Sequence, residues 1–155
     1  MTWFLIAICT AVLCLVILAI KRTRAQQQLR HHSITAAELH TLRTSGQKVV
    51  LFDVRQPLDL LAHLEIIPGA QRVVPSEVLE HPTLIPRDEE VIIYCTCPGE
   101  KTSREILHRA LATGFSRIKL LQGGLAAWKA NGYGLEPYQE VFHLHDATHQ
   151  RDPHR

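Results

Sequence analysis

The sequence predicts an α/β domain, a three-layer sandwich with a central parallel sheet, preceded by one apolar N-terminal helix. Three short apolar runs, over 49–54, 91–96 and 118–121, have the length and composition of buried strands. Segments with helical patterns separate these runs, and strands that alternate with helices indicate parallel pairing. The length of 155 residues suits one such domain with a full core.

The first 20 residues are predicted to form a transmembrane helix. From Trp3 to Ile20, Thr10 is the only polar side chain apart from two cysteines, and a bilayer-spanning helix needs about 17–25 apolar residues. A signal peptide would carry basic side chains before its apolar region, and none precedes this stretch. Basic residues follow it instead, which by the positive-inside rule predicts a single-pass protein with a cytoplasmic domain: Lys21, Arg22, Arg24 and Arg30.

Three further segments are expected after this membrane anchor (1–20). Residues 21–33 are predicted to be a basic juxtamembrane linker, and residues 34–138 the folded domain. Residues 139–155 form a His-rich tail in which apolar periodicity is lost. We expect this tail to be disordered rather than to bind metal.

The first half of the domain contains clear local signals. Thr35 and Glu38 have capping-box spacing and predict a short helix that ends near Gly46. The strand over 49–54 is continuously apolar until Asp53. The elements predicted after it are a helix over 57–64, a strand over 70–74 between two prolines, and a helix capped by Ser76 that ends before Pro86.

The second half continues the alternation. The strand over 91–96 leads through a short loop to a helix over 103–113, which Gly114 ends. The strand over 118–121 is followed by two glycines, and the last predicted helix covers 125–131.

The loop between the second apolar strand and its helix is the centre of the predicted chemistry. It is Cys97-Pro98-Gly99-Glu100-Lys101-Thr102-Ser103. A cysteine at a strand end, before a helix N-terminus, meets converging N–H groups and the positive end of the helix dipole. Both favour a thiolate, so we predict a lowered pKa for the thiol and an anion-binding loop from Pro98 to Ser103. Thr102 or Ser103 can also cap the helix.

Composition excludes several other classes of protein. The four cysteines do not form a secreted disulfide framework, because Cys9 and Cys14 lie in the apolar segment and Cys95 and Cys97 are two positions apart. With a net charge of +2 and no basic stripe, nucleic-acid binding is not expected. No second cysteine pair accompanies the first, so neither a zinc site nor any other metal or cofactor is expected.

Four groups of residues follow one another in a distinctive order. Asp53-Val54-Arg55 ends a strand, and Ile67-Pro68-Gly69-Ala70 follows. After the cysteine loop come Gly123-Gly124-Leu125-Ala126-Ala127-Trp128 and Gly132-Tyr133. From Ile34 to Pro137 the chain thus resembles a single-domain rhodanese of the sulfurtransferase superfamily. The resemblance implies a rhodanese-like fold, with Asp53 and Arg55 as structural support that holds neighbouring loops together.

The resemblance also implies a persulfide mechanism. In this family a cysteine thiolate takes the outer sulfur of a small donor, a thiosulfate-type anion or a persulfide, and becomes a persulfide itself. A thiol, a protein or cyanide then accepts that sulfur. Loop N–H groups would stabilise both the thiolate and the anionic persulfide, and no metal is required. The whole chain is therefore predicted to be a membrane-tethered sulfurtransferase.

Two cysteines compete for the role of nucleophile. Cys97 lies six positions before Ser103, the loop length usual in the family, whereas Cys95 lies eight positions before it. Cys97 is therefore our lead candidate and Cys95 the alternate. Both thiols point to the same face if the strand continues between them, so Cys95 could also serve as a resolving thiol.

The chain departs from the family pattern at Glu100, which stands in a loop that usually carries arginine or small polar residues. Its carboxylate would repel thiosulfate if it pointed inward, so a persulfide is at least as plausible a donor as thiosulfate. Two other functions compete: a thiol–disulfide protein that uses the Cys95-x-Cys97 pair, and a catalytically silent interaction module. A phosphatase is disfavoured, because Lys101 lacks the bidentate fork of arginine.

Overall fold

The computed structural model describes residues 2–138, which divide into two compact units between Ser33 and Ile34. Helix α1 (Thr2–His31) lies in the first unit and continues without a break through most of the segment predicted as a linker, up to His31. Within residues 2–138, no helix has the length and apolarity needed to cross a membrane. The predicted transmembrane anchor is thus without structural support. The His-rich tail over 139–155 lies outside the described residues.

A parallel sheet forms the centre of the second unit. The strands are β1 (Ser33–Ile34), β2 (Val49–Asp53), β3 (Glu65–Ile66), β4 (Gln71–Arg72), β5 (Glu90–Tyr94), β6 (Ile118–Leu121) and β7 (Glu136–Pro137). The main sheet has the order β1-β6-β5-β2-β4, and β2 pairs in parallel with β4 and β5, as β5 does with β6. This confirms the predicted parallel sheet. An antiparallel pair, β3 with β7, was not predicted.

Five helices accompany these strands. They are α2 (Ala36–Thr44), α3 (Pro57–Ala62), α4 (Pro75–Glu80), α5 (Lys101–Ala112) and α6 (Gly124–Ala130). The capping box of α2 is confirmed, because the Thr35 hydroxyl accepts from the Glu38 N–H at 3.2 Å while the Glu38 carboxylate accepts from the Thr35 N–H at 2.8 Å. The prediction that Ser76 caps α4 is wrong. Val74 occupies the cap position and Pro75 starts the helix, where a missing N–H costs nothing.

Both faces of the sheet are buried, which makes three layers. Ile92 and Tyr94 of β5 belong to one hydrophobic cluster with buried side chains of α2 and α6. Val91 and Ile93 alternate with them along the strand and are as fully buried on the other face. Helix α5 packs against β6 and against α4. A sheet buried on both faces explains why its strands are continuous apolar runs rather than alternating ones.

The register of the sheet determines what lies next to the candidate site. Asp53 at the end of β2 pairs with Tyr94 at the end of β5. Since the two strands are parallel, the chain leaves both at the same edge of the sheet. The segment after Asp53 and the cysteine loop after Tyr94 therefore start side by side.

Candidate active site

The cysteine loop turns tightly between β5 and α5. Residues Pro98–Glu100 form a single 3-10 turn, in which the Glu100 N–H donates to the Cys97 carbonyl at 3.0 Å. Gly99 and Glu100 both have left-handed backbone angles, with φ of 66° and 57°. Glu100 is the only non-glycine residue with a positive φ in residues 2–138. Such a conformation is uncommon outside glycine and is frequently found at functional sites.

The sulfur of Cys97 lies against the first turn of α5. The Thr102 N–H donates to the Cys97 Sγ at 3.4 Å, and the Thr102 hydroxyl lies 3.5 Å from the same sulfur. Partial burial raises the pKa of Cys97, but hydrogen bonds with the Cys95 thiol and with the hydroxyl and N–H of Thr102 outweigh burial, so the pKa is lowered. Cys97 thus has more thiolate character than an ordinary cysteine.

Cys95 has a different environment although it lies in the same site. Only 2% of the residue is exposed. Its Sγ is 3.0 Å from the Ser103 hydroxyl and 2.9 Å from the Cys97 Sγ, and both thiols are free. Burial, together with the hydrogen bond to the neighbouring Cys97, raises the pKa of Cys95 to about 11. At neutral pH Cys95 is therefore a protonated thiol beside a more acidic one. The two sulfur atoms lie together even though the strand ends at Tyr94 and does not continue between them.

Glu100 lines the same cavity as the thiols, and its carboxylate is bound by two partners. Its carboxylate accepts a hydrogen bond from the Gly123 N–H and pairs with Arg104, whose Nη2 lies 3.2 Å away. Arg104 was not singled out from the sequence. The signal was present, because opposite charges four positions apart at the start of a helix commonly pair. Lys101, the cation that was considered, is exposed.

The two hydroxyl residues of the loop do not cap α5. The helix begins at Lys101, with Glu100 in the cap position, and the Glu100 side chain makes no capping hydrogen bond. Thr102 and Ser103 are the second and third helical residues. The Ser103 hydroxyl lies 3.3 Å from the Glu100 carbonyl, to which it can donate, and it contacts Cys95. The capping alternative for these residues was wrong, since the left-handed turn at Gly99 and Glu100 starts the helix earlier.

A cavity of about 410 Å³ opens at the two sulfur atoms. Glu100 and Arg104 are its charged side chains, and they are paired with each other. Within residues 2–138, no group of three or more His, Cys, Asp or Glu side chains is placed to hold a metal ion. The residues lining the cavity are Cys95, Thr96, Cys97, Gly99, Glu100, Arg104, Gly123 and Ala126.

The glycine pair before α6 allows a close backbone approach to Cys95. A Cβ atom on Gly124 would collide with the Cys95 carbonyl oxygen, and the Leu125 N–H donates to that oxygen at 3.3 Å. Gly124 also has a positive φ of 52°. The glycine is required here both for its backbone angle and for its lack of a side chain. Helix α6 thus holds the backbone of Cys95 in place.

Asp53 and Arg55 form a fully buried ion pair, with both side chains 0% exposed. The Arg55 Nε lies 2.9 and 2.8 Å from the two Asp53 carboxylate oxygens, and the remaining guanidinium nitrogens donate to the carbonyls of His63 and Glu65 at 2.7 and 2.9 Å. The Tyr94 hydroxyl donates to Asp53 at 3.1 Å. Burial and the Asp53 charge raise the pKa of Tyr94. This network links β2, β5 and the segment that contains β3.

The order of these features along the fold is that of a known family. The family model of the rhodanese-like domain matches residues 35–131 of the sequence, and the chain therefore belongs to the rhodanese-like domain family. The match includes the strands β2 to β6, the helices α2 to α6 and the cysteine loop.

Three similar proteins agree with this family. The chain is 34% identical over 108 residues to the probable adenylyltransferase/sulfurtransferase MoeZ of Mycobacterium tuberculosis; the match covers 67% of this chain but only 26% of MoeZ. It is 28% identical over 101 residues to a sulfurtransferase of Allochromatium vinosum, covering 65% of this chain and 91% of that protein. The crystal structure of a rhodanese-related protein from Thermoplasma volcanium is 24% identical, with a TM-score of 0.55, over 68% of this chain and 97% of that one.

Proposed function

We propose that this protein is a sulfurtransferase that carries sulfane sulfur as a persulfide on Cys97. The observation that carries the proposal is the position of the Cys97 sulfur. It faces the cavity before the N-terminus of α5, accepts the Thr102 N–H, and has a lowered pKa. The names of the MoeZ and A. vinosum relatives support the same class of reaction.

The transfer takes two displacements. In the first, the Cys97 thiolate attacks the outer sulfur of the donor; a Cys97–sulfur bond forms, and the donor's sulfur–sulfur bond breaks with the electron pair leaving on sulfite or a thiolate. In the second, an acceptor thiolate attacks the outer sulfur of the persulfide, and Cys97 leaves as a thiolate. The Thr102 N–H is placed to stabilise the negative charge on Cys97 before the first step and after the second.

The charges of the cavity favour a persulfide over thiosulfate as the donor. Arg104 is already paired with Glu100, and the Glu100 carboxylate itself lines the cavity. A dianion such as thiosulfate would meet that carboxylate without an unpaired cavity cation to offset it. The persulfide of a small thiol or of a protein carries less charge and avoids this cost.

Attachment to a membrane and a cytoplasmic location stay predictions from the hydropathy and charge of the N-terminal segment.

The decisive experiment measures sulfur transfer by the full-length chain. Sulfane sulfur is supplied as thiosulfate or as glutathione persulfide, the acceptor is cyanide or a thiol, and the intact protein is weighed. We expect the wild type to gain the mass of one sulfur atom. Cys97→Ser should lose this adduct and at least about 1,000-fold in turnover, as is typical when a nucleophile is removed.

Two matched variants make the assignment specific. Cys14→Ser changes an exposed cysteine of α1 and should behave as the wild type. Cys95→Ser should still gain the sulfur adduct. If the adduct disappears in Cys95→Ser but not in Cys97→Ser, the assignment of the nucleophile is overturned.

A thiol–disulfide function is the second candidate, because the sulfur atoms of Cys95 and Cys97 lie 2.9 Å apart. In the same experiment it predicts a wild type that accepts no sulfur from either donor and readily forms a disulfide between these residues. A protein that shows neither the adduct nor the disulfide would be an interaction module.

A further inference from the structure

We propose that Cys95 is a resolving thiol that discharges the Cys97 persulfide as hydrogen sulfide and leaves a Cys95–Cys97 disulfide. This inference rests on the proposed persulfide function and adds a second exit for the bound sulfur. It gives the domain two products. The sulfane sulfur goes to an acceptor when one is bound, and it is released as sulfide when none is present.

The geometry brings the reacting atoms into contact. The Cys95 Sγ lies 2.9 Å from the Cys97 Sγ, so the inner sulfur of a persulfide on Cys97 would start within reach. Cys95 is buried, whereas Cys97 is partly exposed to the cavity. The cavity of about 410 Å³ opens at both sulfur atoms, so the outer sulfur has room to extend into it and away from Cys95. Attack from behind the bond that breaks is the arrangement that thiol exchange requires.

Contacts at both the sulfur and the carbonyl of Cys95 hold it in this position. The Ser103 hydroxyl lies 3.0 Å from its sulfur. Its carbonyl accepts from the Leu125 N–H and lies directly against Gly124, where no Cβ fits. A thiol that served only to fill the core would not need to face the nucleophile. The structure places it against the one sulfur that the proposed reaction modifies.

The reaction balances without an added oxidant. The Cys95 Sγ forms a bond to the Cys97 Sγ, and the bond between the Cys97 Sγ and the outer sulfur breaks. The electron pair of that bond leaves with the outer sulfur, which takes the Cys95 proton and departs as hydrosulfide. The two thiols are oxidised by two electrons, and the sulfane sulfur is reduced by two. A small thiol in the cell then reduces the disulfide and restores both cysteines.

The environment of Cys95 keeps this exit slower than transfer. Because burial raises the pKa of Cys95 to about 11, little of it is thiolate at neutral pH. Only the thiolate is a strong nucleophile towards sulfur. An acceptor thiol with a normal pKa would therefore take the sulfur first. Cys95 would attack the Cys97 persulfide only when no acceptor has removed its outer sulfur.

The test follows a persulfide in the absence of an acceptor. The reduced full-length chain is treated with glutathione persulfide, freed of small molecules and incubated, while sulfide is read with an electrode and the intact protein is weighed. We expect the wild type to lose the added sulfur, release one equivalent of sulfide and end two hydrogen atoms lighter than the reduced chain. Peptide mapping should find Cys95 joined to Cys97.

Cys95→Ser should hold the added sulfur and release sulfide at least about tenfold more slowly, as expected when the attacking thiol is absent. Cys14→Ser is the matched control and should release sulfide like the wild type. Circular dichroism checks the fold of each variant, and disulfide mapping in the wild type needs no variant at all.

Two results would overturn the inference while the transfer function stands. One is a persulfide equally long-lived in wild type and Cys95→Ser, and the other is an added sulfur found on Cys95 itself. A wild type that never gains the sulfur would overturn both the transfer function and the resolving role.

Discussion

Two neighbouring strand ends of this domain carry buried polar groups and use them in opposite ways. At the end of β2, Asp53 and Arg55 form a closed network in which both charges are paired and the spare guanidinium nitrogens reach backbone carbonyls. At the end of β5, Cys95 and Cys97 lie in a turn with left-handed backbone angles, and a cavity opens at their sulfur atoms. In the first region the charged side chains have all their hydrogen-bond partners within the fold, whereas the second leaves room for a reactant beside its sulfur atoms.

This difference shows how one sheet edge can be both rigid and reactive. A buried ion pair is costly unless every group is bonded, and the Asp53–Arg55 pair is bonded throughout. The thiols tolerate weaker contacts, because a sulfur atom loses less on burial than a charge does. The Asp53–Arg55 network, the frame of the site, can thus be tested by its effect on stability, and the cysteine loop by its effect on reactivity.

The largest expected effect is on the frame. Arg55→Ala leaves the Asp53 carboxylate buried without its partner, and breaking a buried pair in this way costs about 3–5 kcal/mol of unfolding free energy. Urea denaturation measures it. Lys129→Ala, which removes an ion pair of two largely exposed side chains, is the matched control and should cost less than about 1 kcal/mol. Equal losses in the two variants would contradict the role of Arg55 as a support.

The contact between helix α6 and the cysteine loop can be tested at Gly124. Gly124→Ala adds a methyl group that collides with the Cys95 carbonyl, at a position with φ of 52°. Gly132→Ala has a similar φ of 73° but open space around it, so it should show only the backbone cost of about 1–2 kcal/mol. We expect Gly124→Ala to lose clearly more stability and to slow the alkylation of Cys97. Similar stabilities of the two variants would argue against a close approach.

The reactivity of the loop should depend on pH in a defined direction. The rate of Cys97 alkylation rises with pH as the thiolate forms, and its midpoint should lie below that of an ordinary cysteine because the pKa of Cys97 is lowered. Cys95→Ala removes a hydrogen bond that lowers the pKa of Cys97, so the midpoint should move upward. Iodoacetamide kinetics with mass detection at Cys97 provide the measurement. A midpoint that moves downward would show that the Cys95 thiol does not stabilise the Cys97 thiolate.

The smallest expected effect concerns the choice of donor. Glu100→Gln keeps an oxygen for the Gly123 N–H but removes the negative charge and frees Arg104. We expect the KM for thiosulfate to fall about two- to fivefold at low ionic strength, the scale of one partly exposed charge interaction. The KM for a persulfide should change less. An unchanged preference between the two donors would show that Glu100 does not select them.

Much of the fold could be predicted because its signals are local. Continuous apolar runs marked β2, β5 and β6, and the capping box of α2 needed only four consecutive residues. The strands β3 and β7 escaped prediction, since each has two residues and exists only through pairing with a segment about seventy positions away. Ser76 was assigned as a cap because its residue type favours that role, but the neighbouring proline took the first helical position.

For the candidate site, sequence order alone located the cysteine loop and the glycine pair. Only the tertiary structure decided that the Cys95 sulfur meets both Ser103 and Cys97, and that the Glu100 carboxylate turns to Gly123 and Arg104. The physical reason is the range of the interactions. Apolar periodicity and helix starts act within a few residues, whereas burial, pKa and charge pairing depend on atoms that packing brings together from distant parts of the chain.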